Sequence, residues 1–263
     1  RPGEVLVKVR MCTICRSDIH SYLGHRPNPC PGLLGHEIIG TILELGADIT
    51  HDMRGDKLAV GDRITWSEYF IPGNNYYTEV LDLPQKSPGV DKYGHMAVTS
   101  LVWVSELAFF LRGVAVVVFG LGLLGLFGAA LAAGRGARLV IGLDSVPARR
   151  ELGKKFGCDH VFDPSAMSEA ELVKAVKGLC KPEGADAVIE VCGYPEVAIP
   201  GLQYLRTGGR FVFGGTVNPG SNVTLDANLI LRKLITIRGV HNYHPRHLIE
   251  ALDFVHGNRQ RFP

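Results

Sequence analysis

The sequence predicts an α/β protein: a doubly wound parallel sheet preceded by a smaller, mainly β region. Three observations carry this. From Val114 onward, strand-like and helix-like stretches alternate, the pattern of repeated βαβ units with helices on both faces of a parallel sheet. Residues 1 to about 95 instead show short strand patterns between Pro- and Gly-rich loops such as Gly24–Gly32. Finally, 32 of the 263 residues are glycine, against about 7% in an ordinary chain, and several sit where a strand meets a helix.

In the first region the strand candidates are Glu4–Arg10, Ile38–Leu45 and Asp62–Trp66. Residues 96–113 form a shortened, apolar connector, so the divisions fall at 1–95, 96–113 and 114–263. The second region reads as strands at Val114–Phe119, Arg138–Leu143, His160–Phe162, Ala187–Val191, Arg210–Phe213 and Leu234–Val240. Between them lie helices at Leu123–Ala133, Pro147–Phe156, Ser168–Leu179, Glu196–Leu205 and Leu225–Leu231, and Arg246–His256 follows. Pro147 fits a first helical turn. Ser168 with Glu171 fits a reciprocal cap, a hydroxyl and an acid three residues apart.

Composition excludes several classes. Net charge is +2, so no charge excess points to nucleic acid or an anionic membrane. With 46% apolar and 21% charged residues, the chain is neither disordered nor collagen-like. Its six cysteines are too sparse for a disulfide scaffold and suit a reduced, cytoplasmic setting. Gly113–Gly134 is uncharged and long enough to cross a bilayer. However, its β-branched run Val114–Phe119 followed by Gly120 reads as a buried strand, a turn and a helix. The chain opens at Arg1 on a strand already under way, and is expected to lack its natural start.

Gly120-Leu121-Gly122-Leu123-Leu124-Gly125 is G-x-G-x-x-G directly after a strand and opening a helix. Gly120 permits the turn, Gly122 lets backbone approach a pyrophosphate, and Gly125 lets helix and strand close. The helix N-terminus, with Leu123 and Leu124, faces the phosphates. Asp144 follows at the end of the next strand, where a carboxylate accepts both ribose hydroxyls of NAD and repels a 2′-phosphate. Arg149 and Arg150 lie close enough to keep NADP as the alternative.

The first region clusters metal-ligand types. Cys12-Thr13-Ile14-Cys15 is C-x-x-C, but a thioredoxin-like pair needs a following helix in a βαβ unit, and this half is expected to lack one. Cys15, His36 and Glu37 supply a thiolate, an imidazole and a carboxylate, the ligand types of a catalytic zinc; the alternative is a core cysteine and a loop histidine.

Taken together, Cys15-Arg16-Ser17-Asp18-x-His20, Gly35-His36-Glu37, Val60-Gly61-Asp62-Arg63, the glycine motif and Asp144 resemble the zinc-dependent medium-chain alcohol dehydrogenases. Gly215–Pro219 through Gly239–Tyr243 resembles one zinc-type branch of that superfamily. The resemblance implies a GroES-like catalytic domain joined to a Rossmann domain, and NAD(P)-dependent interconversion of a small alcohol and a carbonyl. Carried over by position, Cys15 and His36 would bind zinc, and Glu37 would be the nearby acid that coordinates or leaves it. Ser17 would take the alcohol's proton, His20 would pass it toward solvent, and Asp18 would orient a ligand imidazole. A homo-oligomer is also implied.

The sequence departs from that pattern in three places. Pro72, Asn75, Thr78 and Ser87 stand where many members carry four structural-zinc cysteines, so no structural zinc is expected. The stretch between Glu37 and Gly120 is shorter than the family's and holds no cysteine, so the third zinc ligand is expected to be missing, leaving His95 and Glu106 as substitutes on chemistry alone. The chain stops at Pro263, ahead of the family's returning C-terminal segment, so the catalytic domain is expected to be incomplete. Two competing functions remain: a dinucleotide-binding module without catalysis, and a zinc-independent, NADPH-using reductase, against which Cys15, His36, Glu37 and Asp144 argue. His241, His244 and His247 read as surface or cofactor-edge residues, and Cys158, Cys180 and Cys192 as core or near-core thiols.

Overall fold

The computed structural model describes residues 2–25, 34–71, 73–88, 90–92, 113–181 and 183–262. It divides into two compact units, Arg1–Thr99 with Asn242–Ile249, and Ser100–His241 with Glu250–Pro263.

In the first unit, β1 (Val5–Thr13), β2 (Glu37–Leu45) and β3 (Arg63–Thr65) form an antiparallel sheet in that order. Gly40 allows the close approach of β1 and β2: a Cβ there would lie 2.1 Å from Val7 Cγ1 and 3.3 Å from Trp66 Cζ3. Ile42 is fully buried, whereas Leu6, Val9, Met11, Ile39 and Leu43 are exposed. β4 (Tyr69–Phe70) pairs antiparallel with β5 (Asp91–Lys92).

Two short helices, α1 (Arg16–Tyr22) and α2 (Tyr76–Glu79), and a 3-10 turn at Pro84–Lys86 also belong to this unit. α1 directly follows the C-x-x-C and is a helix that the sequence patterns above do not include. Cysteine is not among the usual cap residues, and seven residues are too few to show a helical period. Here Cys15 sits at the cap and its N–H donates to Asp18 Oδ2 at 2.8 Å. No βαβ unit results, because β1 and β2 run antiparallel.

The second unit follows the alternating pattern. Its strands are β6 (Ala115–Phe119), β7 (Leu139–Leu143), β8 (His160–Phe162), β9 (Ala185–Glu190), β10 (Leu205–Phe213) and β11 (Thr236–Gly239). The helices are α3 (Leu123–Gly134), α4 (Pro147–Lys155), α5 (Glu169–Leu179), α6 (Ala198–Tyr204) and α7 (Ala227–Lys233), and the chain later enters α8 (Arg246–Asn258). The sheet is parallel throughout, in the order β11-β10-β9-β6-β7-β8. Strand order therefore reverses between β6 and β9, the switch point where such sheets bind ligands.

Every residue of β6 and β7 is buried, which is why they read as unbroken apolar runs. Side chains alternate between two cores. Val117, Ile141, Val188 and Phe211 pack on one face with Leu172 and Leu202; Val116, Val118, Val140 and Val212 pack on the other with Leu126, Ala129 and Phe156. No described helix is long and apolar enough to cross a membrane.

Local signals act as read. Pro147 occupies the first turn of α4, and Ser168 and Glu171 form the reciprocal cap of α5. The helix expected at Glu196–Leu205 splits into a short 3-10 turn, Pro195–Val197, and α6. β10 begins at Leu205, earlier than expected: Leu205 pairs with Ala185, and an irregularity then skips to Arg210 pairing with Ala187. Gly208, at φ +72°, makes that bulge possible and hides the strand's alternation.

Candidate dinucleotide and metal sites

Each glycine of the G-x-G-x-x-G turn meets a different constraint. Gly120 has φ +91°, and a Cβ there would lie 2.8 Å from Cys192 Cβ. Its N–H donates to Leu143 O at 2.8 Å, tying the turn to β7. Gly125 lies against the turn itself: an added Cβ would stand 1.7 Å from Gly120 O. Gly122 has nothing within 4 Å of the same virtual atom, so open space lies before the N-terminus of α3. This is a cradle that a phosphate can enter and a side chain would fill, with the first-turn amides as donors. Leu121 is fully buried, Leu123 is exposed, and Leu124 is half-buried.

Asp144 closes β7 and is buried. Its Oδ2 accepts from Leu121 N–H and its Oδ1 from Val146 N–H, both at 2.8 Å. The carboxylate therefore braces the glycine turn, and each oxygen retains a lone pair for a further donor. Arg149 Nη1 stands 3.6 Å from Asp144 Oδ2. Arg150 Nη1 is held by Asp144 O at 2.8 Å and Asp163 Oδ2 at 2.9 Å.

One residue here escaped the sequence reading. Glu190, the last residue of β9, is fully buried. Its Oε1 accepts from Gly193 N–H at 2.6 Å. Its Oε2 accepts from Gly215 N–H, Thr216 N–H and Thr216 Oγ1–H at 3.0, 3.1 and 2.7 Å. The available signal was an acid directly after the apolar run Ala187–Ile189.

In the first unit, Cys15, His36 and Glu37 come together. One ligand atom from each lies within 4.8 Å of the others. With metal–ligand distances of about 2.0–2.3 Å, ligands around a tetrahedral zinc stand roughly 3–4 Å apart, so the group fits a zinc with modest closure. It is the one such group among the described residues.

Asp18, buried in α1, organises the cluster. Its Oδ2 takes the Cys15 amide, and its Oδ1 takes Gly35 N–H at 3.1 Å and stands 3.4 Å from His36 Nδ1. With Nδ1 turned to the carboxylate, Nε2 is the imidazole nitrogen that can coordinate, the arrangement by which carboxylates fix metal-binding histidines. Thr13 pairs with Glu37 across β1 and β2 and its hydroxyl hydrogen-bonds Glu37 Oε2. Cys12 stays outside the group, exposed on β1. His20 lies on α1 with Nδ1 3.3 Å from His25 Nδ1. Ser17 is in α1 by its backbone; its side chain, like Cys30, His95 and Glu106, lies outside the described residues.

Three of the four positions that the resemblance sets in place of structural-zinc cysteines form a polar knot; Pro72 lies outside the described residues. Asn75 caps α2: its Oδ1 accepts from Tyr77 N–H at 2.9 Å and from Ser87 Oγ at 3.3 Å. Thr78 Oγ1 accepts from Asn75 N–H at 2.7 Å. Replacing Asn75 by alanine removes the cap and unpairs Ser87, and is expected to destabilise the first unit by about 1–2 kcal/mol. A denaturant midpoint unchanged from wild type would contradict that.

Asp82 gathers two basic side chains from the chain's last quarter. His244 Nε2 lies 3.1 Å from Asp82 Oδ1, and the hydrogen bond from Arg246 holds the Asp82 carboxyl below its usual range. Burial pushes the Cys158 thiol up to about 12 and Cys180 to about 11. Cys192 rises to about 12, through burial and the neighbouring Glu190.

Comparison with known proteins agrees with this architecture. The family model of the alcohol dehydrogenase GroES-like domain matches residues 1–108, and that of zinc-binding dehydrogenases matches residues 124–257. L-threonine 3-dehydrogenase of Pyrococcus horikoshii is 31% identical over 92% of this chain and 77% of its own length. An alcohol dehydrogenase from Thermotoga maritima superposes with a TM-score of 0.90 at 25% identity, covering 100% of this chain and 84% of that one. A protein of the zinc-binding dehydrogenase type from Sinorhizobium meliloti, solved with NADP, gives 0.83 at 25% identity over 97% and 82%. A GroES-like region ahead of a Rossmann sheet, a relative above 30% identity matched over most of its length, and both family models together place this chain in the zinc-binding dehydrogenase family of the medium-chain superfamily.

Proposed function

We propose that this chain is a zinc-dependent, NAD-linked oxidoreductase that interconverts an alcohol and a carbonyl by hydride transfer. The observation that carries the reading is the convergence of Cys15, His36 and Glu37 within 4.8 Å, with Asp18 supporting two of them.

In this reading Cys15 and His36 hold one zinc, and Glu37, tethered by Thr13, is the acid able to join or leave it. Bound there, zinc supplies a Lewis acid that lowers the pKa of a coordinated hydroxyl. Ser17 takes the alcohol's proton, and His20, paired with His25, hands it on near neutral pH. Gly120, Gly122, Leu123, Leu124 and Gly125 receive the pyrophosphate of a dinucleotide whose nicotinamide accepts the hydride. Asp144 receives the adenosine ribose through its remaining lone pairs.

The L-threonine 3-dehydrogenase relatives make hydroxy amino acids the first substrates to try within a panel of alcohols. The test is zinc per chain in protein purified without added metal, together with NADH formation over that panel. About one zinc per chain and turnover are expected; dinucleotide binding with no zinc would refute the catalytic claim. In the same assay KM for NAD should lie at least about tenfold below that for NADP, since Asp144 faces the position of a 2′-phosphate. Arg149 beside it and the NADP-bound Sinorhizobium protein make this a sharp comparison, and NADP preference would sink the Asp144 argument.

A second reading, a dinucleotide-binding module without turnover, is favoured by one contrast. The glycine turn and its brace are complete, whereas the metal group among the described residues has three members, one of them a carboxylate.

A further inference from the structure

Rossmann-type sheets are built from two mononucleotide-binding halves that meet where strand order reverses. Here β6, β7 and β8 make the first half, and β9, β10 and β11 the second. Each half carries a buried acid at the end of a strand. Asp144 ends the first half's β7, and its carboxylate collects the N–H groups of Leu121 and Val146. Glu190 plays the corresponding part in the second half. Its donors come from the loop after β9, through Gly193, and the loop after β10, through Gly215 and Thr216.

The placement is specific to the crevice. Glu190 pairs in register with Phe119, the last residue before the glycine turn, and Val191 N–H donates to Phe119 O at 3.0 Å. The main chain repeats the tie, since Glu190 O accepts from Gly214 and Gly215 N–H at 2.9 Å each. The site also demands a glycine: a Cβ on Gly215 would lie 2.6 Å from Glu190 Oε1. A carboxylate is the side chain that fits, because four donors converge and it offers acceptors alone.

We propose that Glu190 is a positioning residue for the second half of the bound dinucleotide, holding the loops after β9 and β10 in the geometry that receives the nicotinamide-side mononucleotide. This rests on the reading of the second unit as a dinucleotide crevice. A neutral amide of the same shape keeps one acceptor and turns an NH₂ toward loop donors, so the loops must part from it.

The experiment compares NADH, which spans both halves, with ADP, which occupies only the first. In Glu190→Gln the Kd for NADH should rise about tenfold or more, as loss of hydrogen bonds to a charged group implies. ADP should change less than about threefold, with both Kd values measured by calorimetry. Thr216→Val removes one donor and leaves the carboxylate in place; it should weaken NADH about threefold and leave ADP unchanged. The proposal is overturned if NADH affinity is unchanged in the folded glutamine variant, or if both ligands weaken equally, as a merely structural role would require. Should that variant not fold, unchanged NADH binding in Thr216→Val overturns it, and selective weakening supports it. A wild-type protein that binds neither NADH nor ADP refutes the crevice reading itself.

Discussion

Replacing Gly125 by alanine should both destabilise the second unit and weaken dinucleotide binding at least about 100-fold, or about 2.7 kcal/mol. The added Cβ would stand 1.7 Å from Gly120 O and 2.8 Å from Gly120 C. Both obstacles are backbone atoms, and Gly120 is itself held by Leu143 O, so no rotamer change relieves the clash. α3 must slide or the turn must open, which displaces the amides that would meet the phosphates. Overpacking of this kind costs about 1–3 kcal/mol or more in stability. Gly122→Ala is the informative companion. It has φ −72° and free space around its virtual Cβ, so its thermal midpoint should stay close to wild type while NADH affinity falls about tenfold or more. Thermal unfolding and NADH fluorescence on the two variants separate a helix-packing glycine from a ligand-approach glycine. A Gly125→Ala protein with the wild-type midpoint would contradict the steric account.

Asp18→Asn carries the second large effect, on the metal. The buried carboxylate accepts from the Cys15 and Gly35 amides and lies 3.4 Å from His36 Nδ1. An amide keeps one acceptor oxygen and turns its NH₂ toward an N–H it formerly accepted from. Zinc affinity is expected to fall 10–100-fold, the usual consequence of losing a partner that orients a ligand imidazole. The metal-free protein should also lose about 1–3 kcal/mol, because a buried donor is left without its acceptor. Competition against a chromophoric chelator measures the first and denaturant unfolding without metal the second. Unchanged zinc affinity would show that Cys15 and His36 hold their places unaided.

The second unit was largely legible because its signals are local. A strand buried on both faces must be apolar from end to end, as β6 and β7 are. A turn that must approach phosphate must carry glycines, and a helix start such as Ser168 shows its partner three residues on. Other features stayed hidden for equally physical reasons. α1 is capped through Asp18 and a cysteine amide, so no ordinary cap residue announces it. The first half of β10 is masked by its bulge at Gly208 and Gly209. Asp144 reads as a ribose acceptor, yet in the structure it is also a brace for Leu121 and Val146. Glu190 was missed because three of its four donors are backbone N–H groups, the farthest 26 residues away, and main-chain donors leave no trace in composition. In the first unit, Cys15, His36 and Glu37 were nameable as ligand types; that the cap of α1 and the start of β2 bring them side by side required the fold.

The knot of Asn75, Thr78 and Ser87 separates two events that a zinc-stapled lobe would join. Its partners lie at most 12 residues apart and use only neutral donors and acceptors, so this segment can mature as the chain emerges, without waiting for metal delivery or a particular redox state. In the proposed enzyme, supply of zinc would then govern chemical competence and leave intact the step at which this lobe takes shape.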